Sequence, residues 1–424
     1  MIVIALFFIL LLLGVPIAFM ILMAATAGVA VYTTTPLLIV IQSVYSTLNS
    51  FVLLAVPLFV VAGTLASSGK TSEYLIDVMN IFFGWFSGGP VVAAIAACAF
   101  FAAISGSAVA TVVAIGGVMI PGLINSGYSE RTAVGVIGAG GTLGVLIPPS
   151  TPMVVFAVAL GCSVGKLFTA GFVPGIMLAA LWAIYSVIEC RRSGCGKPVR
   201  YPMKDAVRII IRAVPAILFP VIVLGSIYAG WATPTESAAI SVIYVLLIEL
   251  FVYRSLKFTE IPRRVFKGLV LASTATFMMG ASGVLTWLIT YVNLPNILSQ
   301  WIIASISSKE LFLLAIVIFL LIAGMFVGLQ SLVVVICPIL LPSLLYYDID
   351  LIHFGIICVM MAQIGFLTPP FGTNLFVTMS VSGRSFGNVV KATLPYTLLL
   401  LAMALLITYC PEICLWLPNA LGMK

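Results

Sequence analysis

The chain has 424 residues, 63% of them hydrophobic and only 7% charged, with a net charge of +7 and a mean hydropathy of +1.29. A soluble domain carries roughly 25% charged residues, so a soluble enzyme or regulator is excluded and a polytopic membrane protein is indicated. Nor is the positive charge a nucleic-acid signal, because the basic residues gather in two short polar stretches between apolar runs.

Roughly a dozen apolar segments follow one another, several of them short or broken. Residues 2–31 read as a first helix. The start lacks a basic n-region and runs on past Gly14 and Pro16, so it is read as a membrane helix and not as a cleavable signal. Residues 36–66 predict a second helix, bent or broken near Pro57. After a polar turn at 67–73, residues 75–87 and 90–104 are two short apolar pieces joined by Ser87-Gly88-Gly89-Pro90. Each is too short for a comfortable span, and together they predict a re-entrant hairpin. It ends at Ile104-Ser105-Gly106-Ser107-Ala108, where two hydroxyls flank a glycine. Those hydroxyls either supply oxygen ligands or bond the preceding turn. Residues 107–124 follow as a helix.

The next run contains Gly144, Ile147, Pro148, Pro149, Ser150, Thr151 and Pro152. Proline removes a backbone donor and forces the residue before it out of the helical region. The helix is therefore expected to stop near Ile147 and to restart after Pro152, leaving bare carbonyls between. In hydrocarbon such backbone is tolerated only inside protein or along a wet cavity. The restarted piece covers 153–160, and 168–189 span again.

The first basic stretch holds Arg191, Arg192, Lys197, Arg200, Lys204, Arg208 and Arg212, and the second Arg254, Lys257, Arg263, Arg264 and Lys267. Both are placed on the cytoplasmic side, so 213–253 should cross an even number of times. Residues 200–212 read as an amphipathic interfacial helix. Between the stretches lies Gly230-Trp231-Ala232-Thr233-Pro234-Thr235-Glu236. A carboxylate among apolar segments is a functional candidate, while Thr233 with Glu236 three residues on is also a capping-box pattern.

The double-proline pattern returns as Gly365-Phe366-Leu367-Thr368-Pro369-Pro370-Phe371-Gly372-Thr373-Asn374. At a single shift of 221 residues, Pro121 falls on Pro342, Gly144 on Gly365, Pro148 and Pro149 on Pro369 and Pro370, and Pro174 on Pro395. Backbone-breaking residues repeat while other identities do not, which is the mark of an internal structural repeat. Paired broken helices in two halves point to a transport site. Under the same shift, 294–325 is read as the second hairpin. An inverted repeat is the expectation, although it needs an odd number of crossings per half, which the segment count does not fix.

The predicted ion sites lie where hairpins meet broken helices. The first joins Ser105 and Ser107 to the carbonyls of Gly144, Ile147 and Pro149, and the second joins Gly324 to Gly365, Thr368 and Phe371. Neutral oxygens suit Na⁺, a hard cation. Helix N-termini after the prolines favour an anionic substrate. Thr151, Thr373, Asn374 and Arg384, with Thr235 and Glu236 between the halves, are the substrate-binding candidates. The eight cysteines (98, 162, 190, 195, 337, 358, 410 and 414) form no CxxC pair and are read as buried thiols.

The segments ISGSAVATVVAIG, GAGGTLGVLIPPSTPM, ATPTESAA and GFLTPPFGTNLFV resemble the large, DctM-like membrane subunit of tripartite ATP-independent periplasmic (TRAP) transporters. The likeness covers essentially the whole chain. It implies an Na⁺-coupled importer of an organic acid anion in a bacterial inner membrane, working by an elevator motion. It also implies a small membrane subunit as a separate chain and a periplasmic substrate-binding protein. C4-dicarboxylates and sialic acids such as N-acetylneuraminate are the substrates it suggests, and the first motif is nearest the sialic acid branch. The ion-site residues given above match the family pattern.

The corresponding division is 1–72 for N-terminal scaffold helices and 73–189 for the first transport-domain repeat. Residues 190–293 hold the basic segments and central scaffold helices, 294–388 the second repeat, and 389–424 the C-terminal helices. Three other readings explain less. A stand-alone Na⁺/anion symporter would need no binding protein. An intramembrane serine protease would use Ser282 of Gly280-Ala281-Ser282-Gly283 with the lone His353. A channel would need a continuous polar path.

Overall fold

A computed structural model describes residues 2–194, 196–326 and 329–423. Cys195 lies outside the described residues. Within them the fold is all α-helical, and eight helical stretches are long and apolar enough to cross a membrane.

The apolar start is not one helix. α1 (Ile2–Leu12) and α2 (Ile17–Tyr32) fold back on each other. Gly14 takes a φ of +71° and Pro16 opens α2, so the chain reverses there. Ile2 N donates to Tyr32 OH (3.1 Å), closing the pair. The next segment divides into α3 (Leu38–Leu48) and α4 (Ala55–Ser68), joined through a 3₁₀ turn at Phe51–Leu54. The break falls at Asn49-Ser50 and not at the expected Pro57. Pro57 is the third residue of α4, where no intrahelical partner awaits its missing N–H.

The first hairpin also differs from expectation. α5 (Thr71–Phe83) lies along α6 (Gly89–Ser105), but α6 forms the re-entrant pair with α7 (Ala108–Asn125). Both outer ends meet on one side: Gly88 N donates to Tyr128 OH (3.2 Å). Lys197 N donates to Ser126 O (2.8 Å) and Val199 N to Gly84 O (2.9 Å). The last two contacts come from the first basic stretch, which the positive-inside rule assigns to the cytoplasm. Ser105-Gly106-Ser107 is therefore the tip, deep in the protein, with Gly106 at φ +57°. Ser87-Gly88-Gly89-Pro90 is a joint at the outer end.

α8 (Glu130–Gly140), α9 (Leu143–Leu146) and α10 (Thr151–Leu160) form the broken span, and α11 (Val164–Ser193) returns to the basic side. α12 (Met203–Tyr228) absorbs the predicted interfacial segment 200–212 into one helix that runs through Pro215 and Pro220. α13 (Pro234–Leu247) ends in a π-helical turn at Ile248–Val252. Two crossings thus separate the basic stretches, as expected. α14 (Ile261–Tyr291) makes the third.

α15 (Leu294–Ser305) packs against α17 (Leu329–Tyr346) and does not close a hairpin with α16 (Lys309–Phe326), contrary to the reading of 294–325. The second re-entrant pair is α16 with α17. Lys309 Nζ donates to Asp348 O (2.7 Å), Tyr347 OH donates to Ile306 O (2.6 Å), and the Phe312 and Tyr347 rings stack 4.4 Å apart. Three crossings after the first basic stretch put this outer end on the periplasmic side. The two hairpins enter from opposite faces, so the repeat is inverted. α18 (Leu351–Phe366) and α19 (Thr373–Ser382) form the second broken span. α20 (Phe386–Tyr409) recrosses and α21 (Glu412–Ala420) packs on α11. Gln363 Nε2 donates to Thr142 O (2.9 Å). These residues stand 221 apart, so repeat equivalents bond to each other across the pseudo-two-fold axis.

Candidate functional site

The hairpin tip is built by two helix ends. Gly106 stops α6, and Ser107 caps α7, its Oγ accepting from Ala110 N (3.4 Å). Thr111 Oγ1 donates to Ser107 O (2.8 Å) and lies 3.1 Å from Ser105 Oγ. The tip presses on the first broken span. Thr151 N (3.4 Å) and Thr151 Oγ1 (3.3 Å) both donate to Gly106 O. A Cβ on Gly144 would sit 2.7 Å from Ser107 C and O. Only glycine allows this approach.

α9 ends at Leu146, as expected, but the chain restarts at Thr151. Pro152 stands in the first turn of α10, where its missing N–H costs nothing. Between them the Pro148–Pro149 bond is cis, as is Pro369–Pro370. Ser150 Oγ donates across the gap to Val145 O (2.7 Å). The carbonyls of Ile147 and Pro149 are buried and accept no hydrogen bond from the described residues. The hairpin tip at Ser105–Ser107 thus meets the broken span at Gly144 and Pro149, with Ile147 two residues before Pro149 in the same break.

In the second half Gly365 packs on Gly324, where a Cβ at 365 would lie 2.7 Å from Gly324 C. Thr368 follows at once, its Oγ1 donating to Ile364 O (2.6 Å). The Phe371 ring is exposed.

A cavity of about 560 Å³ lies beside the first tip, lined by Ser105, Ser107, Thr151, Thr373, Phe366 and Lys267 among others. Ser67 and Ser68, at the end of α4 nearest the second basic stretch, also line it, and the positive-inside rule assigns that end to the cytoplasm. Thr151 and Thr373 place two helix N-termini on its wall.

The other substrate-binding candidates lie elsewhere. Asn374 is buried, its Nδ2 donating to Gly138 O (3.3 Å). Thr235 Oγ1 donates to Phe51 O (3.1 Å) at the periplasmic end. Glu236 is exposed and accepts from Thr233 N and Oγ1 (2.8 Å each), completing the capping box. Arg384 pairs with Glu130 (2.7 Å) at the cytoplasmic end. Ser282 Oγ donates to Met279 O (2.7 Å) and His353 Nε2 bonds Ile407 O (2.9 Å), so they form no catalytic pair. Thr233→Ala is expected to cost about 1 kcal/mol by losing the cap, read as a small drop in unfolding midpoint. The apparent affinity for substrate should stay unchanged.

Three contributors escaped the sequence reading. Gln363 carried a signal in its 221-residue offset from Thr142. Lys267 was visible as a cation opening a long apolar helix. Thr111 carried none, since its role depends on the hairpin turn.

A family model for the DctM component of the tripartite ATP-independent periplasmic transporter matches residues 4–413. The chain belongs to the DctM family of TRAP transporter components. Among DctM relatives, the C4-dicarboxylate TRAP transporter large permease protein DctM of Pseudomonas aeruginosa is 38% identical over 380 residues, 90% of this chain and 89% of that protein. The isethionate TRAP transporter permease protein DctMQ of Oleidesulfovibrio alaskensis is 37% identical over 401 residues, 94% of this chain and 63% of that longer protein. The crystal structure of the Alcanivorax borkumensis YdaH transporter superposes with a TM-score of 0.60 over 90% of this chain and 88% of that one. Its 14% identity makes that a likeness of fold alone. This DctM component is therefore a multi-pass membrane protein of a transporter family and not an enzyme.

Proposed function

We propose that this chain imports an organic acid anion across a bacterial inner membrane, coupled to Na⁺. A separate small membrane subunit and a periplasmic substrate-binding protein are its partners. The observation that carries the reading is the first tip. There Ser105 and Ser107 flank Gly106, whose would-be Cβ lies 2.8 Å from Pro149 O, and the carbonyls of Ile147 and Pro149 accept no hydrogen bond from the described residues, beside a cavity lined by both serines. Carbonyl and hydroxyl oxygens without a carboxylate suit Na⁺ better than a proton relay. Gly324, Gly365, Thr368 and the Phe371 carbonyl make the inverted counterpart.

The wall offers an anion Lys267 and the N-termini of α10 and α19. Relatives are named for C4-dicarboxylate and isethionate, both small acids. A C4-dicarboxylate is the first substrate to try, and a sialic acid, suggested by the first motif, the second. Motion follows an elevator: residues 73–189 and 294–388 slide as a unit against α4, α13 and α14, with the cavity lying at that boundary.

The test is uptake into proteoliposomes holding this chain and its small subunit. Labelled succinate and then N-acetylneuraminate are supplied with the cognate binding protein, with and without an inward Na⁺ gradient. Uptake that needs both protein and gradient is expected. Uptake of free substrate under the gradient alone would replace this reading with a stand-alone symporter.

A further inference from the structure

We propose that the cytoplasmic pocket between α8 and α20 holds the headgroup of an anionic phospholipid. The pocket has a volume of about 430 Å³ and is lined by Arg131, Arg384, Lys391, Asn388 and Glu130. α8 and α20 pack side by side and both begin here, α8 capped by Ser129, whose Oγ accepts from Thr132 N, and α20 starting after Ser385, which makes no side-chain capping bond. Two positive helix ends therefore point into the same concavity as three cations.

The acidic groups nearby do not cancel this charge. Glu130 is taken by Arg384 (2.7 Å). Glu189, on α11, is close enough to Arg131 for their charges to interact. Two carboxylates face three cations, leaving an excess positive charge for a phosphate.

The apolar surroundings decide between a lipid and a soluble anion. On α20, Lys391 is followed by Leu394, Leu398 and Leu406, all strongly exposed. At this spacing they share one helix face. That face runs from the pocket toward the bilayer centre, where acyl chains would lie. Basic pockets between helices on the cytoplasmic side are suited to such headgroups. Free phosphate would fill the pocket and leave the leucine face uncovered.

The experiment uses the full chain in nanodiscs of mixed phosphatidylcholine and phosphatidylglycerol. After extraction, native mass spectrometry reads which lipid stays bound. Phosphatidylglycerol is expected to be retained over phosphatidylcholine. The double variant Arg131→Gln/Lys391→Gln is expected to lose at least about tenfold of that retention. Leu398→Gln, which leaves the charges in place, is expected to weaken it as well. Millimolar inorganic phosphate should not displace the lipid. Equal retention of the two lipids, retention unchanged in the double variant, or full displacement by phosphate would each overturn the proposal.

Discussion

Gly144→Ala and Gly365→Ala are each expected to raise the sodium concentration needed for half-maximal uptake by about tenfold or more. At 144 the added Cβ would meet Ser107 C and O at 2.7 Å, and at 365 it would meet Gly324 C at 2.7 Å. The opposing atoms are backbone in both cases, so no side chain can swing aside. The hairpin must back away from the broken helix. Overpacking of this kind costs about 1–3 kcal/mol, and 1.4 kcal/mol is a factor of ten. Displacing the hairpin also separates the oxygens that the proposed sites need together. Gly117→Ala is the control. It lies in α7, has nothing within 4 Å of its would-be Cβ, and should leave uptake unchanged. Sodium dependence in the two variants indistinguishable from that of Gly117→Ala would mean that the close approaches serve packing alone.

The second large effect is expected at Glu249, which lies in the π-helical turn after α13 and is fully buried. Its carboxyl accepts from Lys70 N (3.1 Å), Thr71 N (3.1 Å) and Thr71 Oγ1 (2.5 Å), and from Ser255 Oγ. Lys70 and Thr71 open α5, so the group serves as that helix's N-terminal cap from a distant part of the chain. A Cβ on Gly69 would run into the carboxyl, so the Glu249 side chain would have to shift to admit one. Glu249→Ala strands at least the two backbone donors. Thr71 N is buried, and a buried donor without a partner costs about 1–3 kcal/mol, so the loss should be at least of that size. Glu249→Gln keeps one acceptor oxygen and should lose less. Thermal unfolding in detergent checks both. A midpoint for Glu249→Ala no lower than that of Thr233→Ala would show that the carboxyl does not hold α5.

The parts of the fold legible in the sequence were those written in backbone chemistry. Pro148–Pro149 and Pro369–Pro370 break their helices whatever surrounds them, and their common spacing revealed the repeat. Ser105-Gly106-Ser107 is legible as a special segment, but the sequence does not show which pair of helices it joins. Ser87-Gly88-Gly89-Pro90 offers an equally good turn locally. Only long-range bonds, such as Gly88 N to Tyr128 OH, show that it lies at the outer end. The split of the first helix at Gly14 and Pro16 was written in the sequence, but it was outweighed by the apolar run on both sides.

Partners far apart in the chain were not legible at all. In the sequence Arg384 reads as a candidate for a substrate carboxylate or as a loop-end arginine, and its partner Glu130 is remote in the chain and near only in space. Glu236 carried two compatible readings, and the observed bonds are those of the cap. The role of Glu249 is not legible in the sequence, because nothing near it marks the start of α5 as its partner.

The most direct measurement is the sodium titration of uptake in proteoliposomes, comparing the wild type with Ser107→Ala and Thr368→Ala. Each variant removes one hydroxyl from one proposed site and leaves the broken helices in place. Sodium sites at the two hairpins predict that each titration moves to higher concentration by about tenfold, the effect of losing roughly 1.4 kcal/mol of binding. Titrations that overlay the wild type in both variants would contradict sodium coordination at these positions.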